Sequence, residues 1–305
     1  MRYCDLHSDT LTAKGEKQVT KKRLAEADCG LQCFAAFVSS RGNRFQEALS
    51  LIDSFDALCK REHINPVTEP DGLSAGVNAL LTVEEGGAIE GSLDKLSDLY
   101  GRGVRMMTLT WNYENEIGFP AIPDYEGLFS GKRTLKDREK TRGLKPFGFR
   151  CVEAMNALGM IVDVSHGSDQ LVKDVFSCAK KPFVASHSGA RSVFDCARNL
   201  TDESIRLIAE SGGVVGLYFC ADFLSSDLSR EGQRAALLAH AKAIVNAGGE
   251  DCLAIGSDFD GIPENPYIKN PSAIPDFLTA LSKEFGQERA EKFARKNFLR
   301  VFSKL

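Results

Sequence analysis

The 305-residue sequence predicts an α/β fold and, within that class, a closed (β/α)8 TIM barrel of the metal-dependent hydrolase type. Three observations carry the prediction. Short apolar runs alternate with longer amphipathic ones, which implies parallel strands joined by helices. Eight such runs are present, the number that closes a barrel. Polar residues of ligand type recur at the ends of these runs, where β/α barrels place their chemistry. An open doubly wound sheet is the rival, and the placement of the polar residues favours the barrel.

Each element has its own justification. The first strand is RYCDLH; in an extended chain Asp5, His7 and Asp9 project to the same side. CFAAFVS (33–39) is the second, followed by the helix-like NRFQEALSLIDSFDALCKRE, and NALLTVE (78–84) is the third, ending on Glu84. The next helix, GSLDKLSDLYGRG, has Ser92 as its cap and Gly101 as its stop. VRMMTLTW (104–111) leads into an irregular insertion at about 112–140, rich in Gly, Pro and Asn, of the kind that covers an active site. After the helical TRGLKPFGFRCVEAMNALG comes GMIVDVSH (159–166), ending on His166. The helix SDQLVKDVFSCAKK precedes PFVASHS (182–188), which carries His187. Thr201 with Ser204 opens another helix, which Gly212 and Gly213 stop before the strand GVVGLYF (213–219). The helix SREGQRAALLAHAKAIVNAGG ends on Gly248 and Gly249, and CLAIGSD (252–258) is the eighth strand, ending on Asp258. A last helical region starts at about 274, and one domain is expected over 1–305.

The composition is that of a globular protein, 43% hydrophobic and 26% charged. The net charge of −4 and the lack of a Lys/Arg stripe exclude nucleic acid or an anionic membrane as partner and favour a small molecule. Nine scattered cysteines, an odd number, read as buried free thiols in a reducing compartment. With no leader pattern and no apolar stretch of about 20 residues, a cytoplasmic protein is expected.

Three of only five histidines stand at strand ends. His63 follows a charged run and His240 lies in a helix, so surface positions are expected for both. His7, His166, His187, Asp9 and Glu84 are too many ligands for one catalytic zinc with an open position. Two ions fit better: Glu84 can lend one oxygen to each, with His7 and Asp9 on one and His166 and His187 on the other. Ions about 3.5–4 Å apart can acidify a water that they share.

DLHSDT, TVEEGG, LTLTWN, MIVDVSH, ASHSGARSVFDCARN and IGSDFDG together resemble the membrane dipeptidase (renal dipeptidase) family of zinc peptidases, within the amidohydrolase superfamily, from residue 5 to about 262. The resemblance implies two Zn2+ per chain on those five ligands, with Glu84 bridging. It implies Asp258 as the catalytic acid/base, with Asp260 as runner-up. It also implies that Arg198 grips the substrate carboxylate, a task that suits a guanidinium. One departure stands out. After LTLT the mammalian members place a substrate-contacting histidine, whereas this chain has Trp111, which donates one hydrogen bond and carries no charge. Trp111 is expected to wall the substrate pocket, with Asn112, Tyr113 or Asn115 supplying a polar contact. The implied function is a dinuclear zinc dipeptidase, acting also on dipeptides with a D-residue at the C-terminal position. The alternative is an amidohydrolase acting on N-acyl amino acids or another small amide. No membrane attachment is expected, and the resemblance allows a homodimer, since family members often pair, although the sequence does not decide the oligomeric state.

Overall fold

In the computed structural model, which describes residues 1–304, nine strands form one parallel sheet. They are β1 (Tyr3–Asp5), β2 (Cys29–Phe37), β3 (Asn65–Val67), β4 (Asn78–Glu84), β5 (Met106–Thr108), β6 (Ile161–Asp163), β7 (Ala185–Ser188), β8 (Val215–Leu217) and β9 (Leu253–Ile255). Eight run in the order β6-β5-β4-β2-β1-β9-β8-β7 and nearly close on themselves. Across the remaining seam Val164 N donates to Val184 O at 2.8 Å, and Val184 N to Val162 O at 2.9 Å. This is the expected (β/α)8 barrel. The ninth strand, β3, was not anticipated; it pairs with β4 outside the barrel, at an edge that tolerates Pro66.

The strands are apolar without alternation because both faces are covered. Inside, Cys4, Leu31, Leu80, Met106, Ile161, Val184, Val214 and Ala254 pack together, one from each strand or from the residue just before it. Phe298, Val301 and Phe302 of the last helix join the same cluster and plug the barrel. A Cβ at Gly216 or Gly256 would lie 2.0 or 1.7 Å from the Ser186 carbonyl oxygen, so only glycine lets β7 come this close.

The surrounding helices are α1 (Lys21–Glu26), α2 (Arg44–Glu62), α3 (Leu93–Gly101), α4 (Tyr125–Phe129), α5 (Pro146–Leu158), α6 (Asp169–Cys178), α7 (Asp202–Glu210), α8 (Ala221–Leu224), α9 (Arg230–Gly248), α10 (Ile274–Phe285), α11 (Gln287–Glu291) and α12 (Asn297–Phe302). Ser92 caps α3 by accepting from Lys95 N, and Thr201 caps α7 by accepting from Ser204 N. Gly101 does not stop α3; it is the last helical residue, and the chain turns at Arg102 and Gly103. α5 starts at Pro146 rather than Thr141, since proline fits the first helical turn.

His240 is fully buried, against expectation: its Nδ1 accepts from Ala190 N at 2.9 Å and its Nε2 faces Leu224 O at 3.0 Å. His63 is exposed, at the end of α2. The nine cysteines are free, and all but Cys178 are buried. Among the described residues no helix is long and apolar enough to cross a membrane.

Candidate active site

A cavity of about 1110 Å³ opens at the carboxyl ends of the strands, and Asp9, Glu84, Trp111, Asn112, His166, Arg198 and Asp258 all line it. His7 and His187 lie beneath, their rings stacked 3.8 Å apart. Residues from six strands and the loops after them are thus gathered at one rim.

Past the end of β1 the chain keeps pairing with the chain past β9: Asp258 N donates to His7 O at 3.2 Å and Asp9 N to Phe259 O at 2.9 Å. Asp5 does not join the other two residues of its motif, because the strand ends there and its carboxylate turns to the backbone. It accepts from Ser257 N at 2.8 Å, from Ser257 Oγ at 2.6 Å and from His7 N at 3.4 Å. Asp260 is engaged elsewhere, accepting from Thr10 Oγ1 at 2.7 Å and Gln18 N at 2.6 Å, so it anchors the loop after β1. Its neighbour Asp258 is left facing the cavity and His7, 3.9 Å from Nε2.

Glu84 stands between two groups of donors. Its Oε2 is 3.4 Å from His7 Nε2, which is also 3.4 Å from Asp9 Oδ2. Its Oε1 is 3.1 Å from His166 Nε2 and 3.6 Å from His187 Nε2. The outer nitrogens of both these rings are occupied. Asn112 Oδ1 lies 2.8 Å from His166 Nδ1. Ser186 Oγ, which donates to Asp163 Oδ2 at 2.6 Å, lies 2.8 Å from His187 Nδ1 and so accepts from it. Each ring therefore carries its proton on Nδ1 and a lone pair on Nε2. The two Nε2 atoms face one another at 2.9 Å, a repulsive contact that a cation between them would reverse. His7 Nε2 and Asp9 Oδ1 are buried with no hydrogen-bond partner. His166 and Asp258 both adopt φ of 65°, a conformation that costs a non-glycine residue roughly 1–3 kcal/mol and clusters at functional sites.

The electrostatics divide in the same way. At His7 burial opposes the charged ring, but Glu84 and Asp9 outweigh it and hold the pKa well above the usual value. At His166 and His187 burial, with Arg198 and His7 nearby, holds both pKa values well below it. Burial, reinforced by Asp9, pushes Glu84 up to about 7. Burial also raises Asp258 well above the usual carboxylate range; His7 opposes the rise, and Asp9 and Glu84 add to it. Arg198 is only 4% exposed, and its recorded polar contact is a long one, Nη2 to His187 O at 3.4 Å. Among the described residues it forms no ion pair, so a buried guanidinium faces the cavity ready for an anion.

Trp111 stands in the cavity wall, held by its backbone N–H, which donates to Glu85 Oε2 at 2.6 Å. Asn115 has no group left for a substrate: Nδ2 donates to Glu85 Oε1 and Leu109 O, and Oδ1 accepts from Ile117 N and Gly118 N. The supports Asp163, Ser186 and Glu85 were not singled out in the sequence. The signals were there, in the acid three residues before His166, the Ser before His187 and the second Glu of TVEEGG. From the 112–140 segment Ile122, Tyr125, Leu128, Phe129 and Leu135 reach the cavity, and Ala121 N ties it to His166 O at 2.6 Å.

The donors suit divalent cations. Ligand atoms of His7, Glu84 and His187 lie within 4.8 Å of one another, as do those of His7, Asp9 and Asp258. Imidazole with carboxylate is the set that takes zinc and similar ions.

Comparison with known proteins agrees. The pattern of the family described as membrane dipeptidase (peptidase family M19) matches residues 3–305. An uncharacterized protein of Klebsiella pneumoniae is 33% identical over 228 residues, covering 72% of this chain and 79% of that one. Dipeptidase 3 of Rattus norvegicus is 29% identical over 294 residues, 93% of this chain but only 58% of the relative, and an uncharacterized dipeptidase of Schizosaccharomyces pombe is matched over 50% of its length. The chain thus spans between half and three-fifths of these two dipeptidase relatives. A metallo peptidase of Rhodobacter sphaeroides, solved with a phosphinate mimic of the dipeptide L-Ala-D-Ala, superposes with a TM-score of 0.85 at 22% identity, covering 100% of this chain and 99% of that one.

Proposed function

The chain belongs to the membrane dipeptidase family, peptidase family M19, and from that premise we propose that it is a dinuclear zinc dipeptidase that hydrolyses L,L dipeptides and those with a D-residue at the C-terminal position. The observation that carries the reading is the division of Glu84, with one oxygen toward His7 and the other toward His166 and His187. In this reading His7 and Asp9 hold one ion, His166 and His187 the other, and Glu84 bridges them. The inhibitor bound to the Rhodobacter relative supports a dipeptide substrate and a D-residue in second place.

When bound, the ions would polarise the scissile carbonyl and bring an attacking water within reach of neutral pH. The protein's own groups do the rest. Asp258, whose proton affinity burial raises, as the carboxylate takes a proton from the attacking water and then returns it to the leaving amine. Arg198 pairs with the free carboxylate of the substrate and fixes the direction in which it lies. Asn112 and Ser186 hold the rings of His166 and His187 in the tautomer that presents Nε2 inward. The segment 112–140 covers one side of the site within a single barrel domain, and the nine free thiols support a reducing, cytoplasmic location.

The test is metal analysis of protein purified without chelator, coupled to turnover of L,L and L,D dipeptides beside N-acyl amino acids. Two zinc equivalents per chain and dipeptide hydrolysis are expected. Activity confined to the acyl compounds would replace this reading by the amidohydrolase alternative.

A further inference from the structure

The cavity is larger than the catalytic groups require, at about 1110 Å³ against roughly 300–1,000 Å³ for ordinary small-ligand pockets. One arc of its wall is aromatic. Trp111 lies 4.9 Å from Phe37 and 5.0 Å from Tyr125, ring centre to ring centre, and Tyr125 lies 5.0 Å from Phe129 with the rings edge to face. The same chain of rings reaches His166, 6.1 Å from Trp111. Phe37, Trp111 and Tyr125 are only partly buried and Phe129 is 77% exposed, so the cluster presents uncovered apolar surface to the cavity. Arg41 stacks 4.1 Å over Tyr113, which packs edge to face on Tyr125, and pairs with Glu126 at 2.7 Å, bracing the wall from behind.

The order of the strands says which half of a substrate meets this wall. Arg198 follows β7, and directly across the barrel from β7 is β2, which ends in Phe37. Glu84 and Asp258 lie between, at the ends of β4 and β9. A dipeptide whose carboxylate is held by Arg198 and whose scissile carbonyl sits among Glu84, His166 and Asp258 therefore projects its N-terminal residue toward the Phe37–Trp111–Tyr125–Phe129 arc.

We infer that the substrates of this protein are dipeptides with a large aromatic or apolar N-terminal residue, whose side chain packs against that arc. The inference rests on the dipeptidase reading and deepens it by naming the substrate class. An uncharged indole serves such a wall better than a histidine would, since it offers a broad apolar face with no charge to desolvate.

The experiment measures kcat/KM of the zinc-loaded enzyme for Phe-Ala, Leu-Ala and Ala-Ala, and for the reversed Ala-Phe. Reversal is needed because Phe194 and Phe223 line the cavity as well. Phe-Ala is expected to exceed Ala-Ala by on the order of ten- to a hundredfold. Trp111→Ala should reduce that ratio about tenfold. Phe129→Ala should reduce it less, and its exposed position means that it folds as the parent does. As an independent readout, Trp111 is the only tryptophan, so its emission should report a phosphinate analogue of Phe-Ala at lower concentration than one of Ala-Ala. Equal rates for Phe-Ala and Ala-Ala, or a preference that follows Ala-Phe, would overturn the inference and leave the dipeptidase reading standing. Failure to hydrolyse any dipeptide would overturn both.

Discussion

The two halves of the candidate metal site differ in charge. On the β1/β9 side His7 faces three carboxylates, Asp9, Glu84 and Asp258, and is held protonated by two of them. On the β6/β7 side His166 and His187 face each other and share a single Glu84 oxygen, and both are held neutral. Each half is unfavourable without a cation, but for opposite reasons. One crowds three carboxyl groups into a buried place, and the other has lone pairs directed at one another. The acidic half also holds the group that suits proton transfer, while the neutral half is flanked by Arg198, which suits substrate anchoring. In the proposed mechanism this division separates the proton chemistry from the binding of charge.

Replacing Asp258 gives the sharpest test of that division. Asp258→Asn keeps the shape and removes the base, so kcat should fall by about 10²–10⁴ while two zinc equivalents remain on the protein. Retention of full kcat, read by steady-state assay beside metal analysis, would move the proton transfer elsewhere. Removing a ligand from the neutral half should separate the ions instead. His187→Ala is expected to lower the zinc content from two equivalents toward one, whereas loss of both at once would show that the halves are not independent.

The next effect acts one layer further out. Asp163 accepts from Ser186 Oγ, Ser186 N, Ser165 N and Thr108 Oγ1, and through Ser186 it sets the tautomer of His187. Asp163→Asn should weaken zinc binding at the neutral half by roughly 10–100-fold, measured by competition with a chelator. Asp5→Asn, which disturbs the corresponding support at Ser257 and His7, should weaken the acidic half instead. If both variants lost the same ion, the contrast between the halves would fail.

The rim was legible in the sequence because its chemistry is carried by rare residues: three of five histidines at strand ends, each within a distinctive motif. Its supports were not, since Asp163, Ser186 and Asp5 are ordinary polar residues whose partners lie on other strands. Asp258 and Asp260 could be ranked by motif but separated only by contacts, one facing the cavity and the other holding Gln18 and Thr10. Strand order followed from apolar runs, yet β3 escaped because three residues around a proline form no run at all. His240 looked like a surface residue because one polar position in a long helix carries no sign of the main-chain groups that bury and satisfy it.

Anchoring by Arg198 should be separable from catalysis. Arg198→Lys keeps the charge but loses the fork that grips a carboxylate, so KM should rise about tenfold with kcat little changed. A fall in kcat at unchanged KM would place the guanidinium in the proton chemistry and blur the two halves.

The smallest effect concerns the loop after β7, which carries Arg198 and is pinned where Ala190 N donates to His240 Nδ1. Burial holds the pKa of His240 down to about 4, although its bond to Leu224 O opposes the shift. In the unfolded chain the ring takes up a proton below the ordinary value of about 6.5. Between these limits the unfolded state binds the extra proton, so stability is fully present above about 6.5 and falls as pH drops toward 4, by about 1 kcal/mol per pH unit. Urea midpoints measured from pH 7 to 5.5 should show this slope, and His240→Gln, which cannot titrate, should flatten it. An unchanged slope would place the acid sensitivity in the other rings that burial holds neutral, His166 and His187, since Glu84 and Asp258, whose pKa values folding raises, stabilise the fold as pH falls.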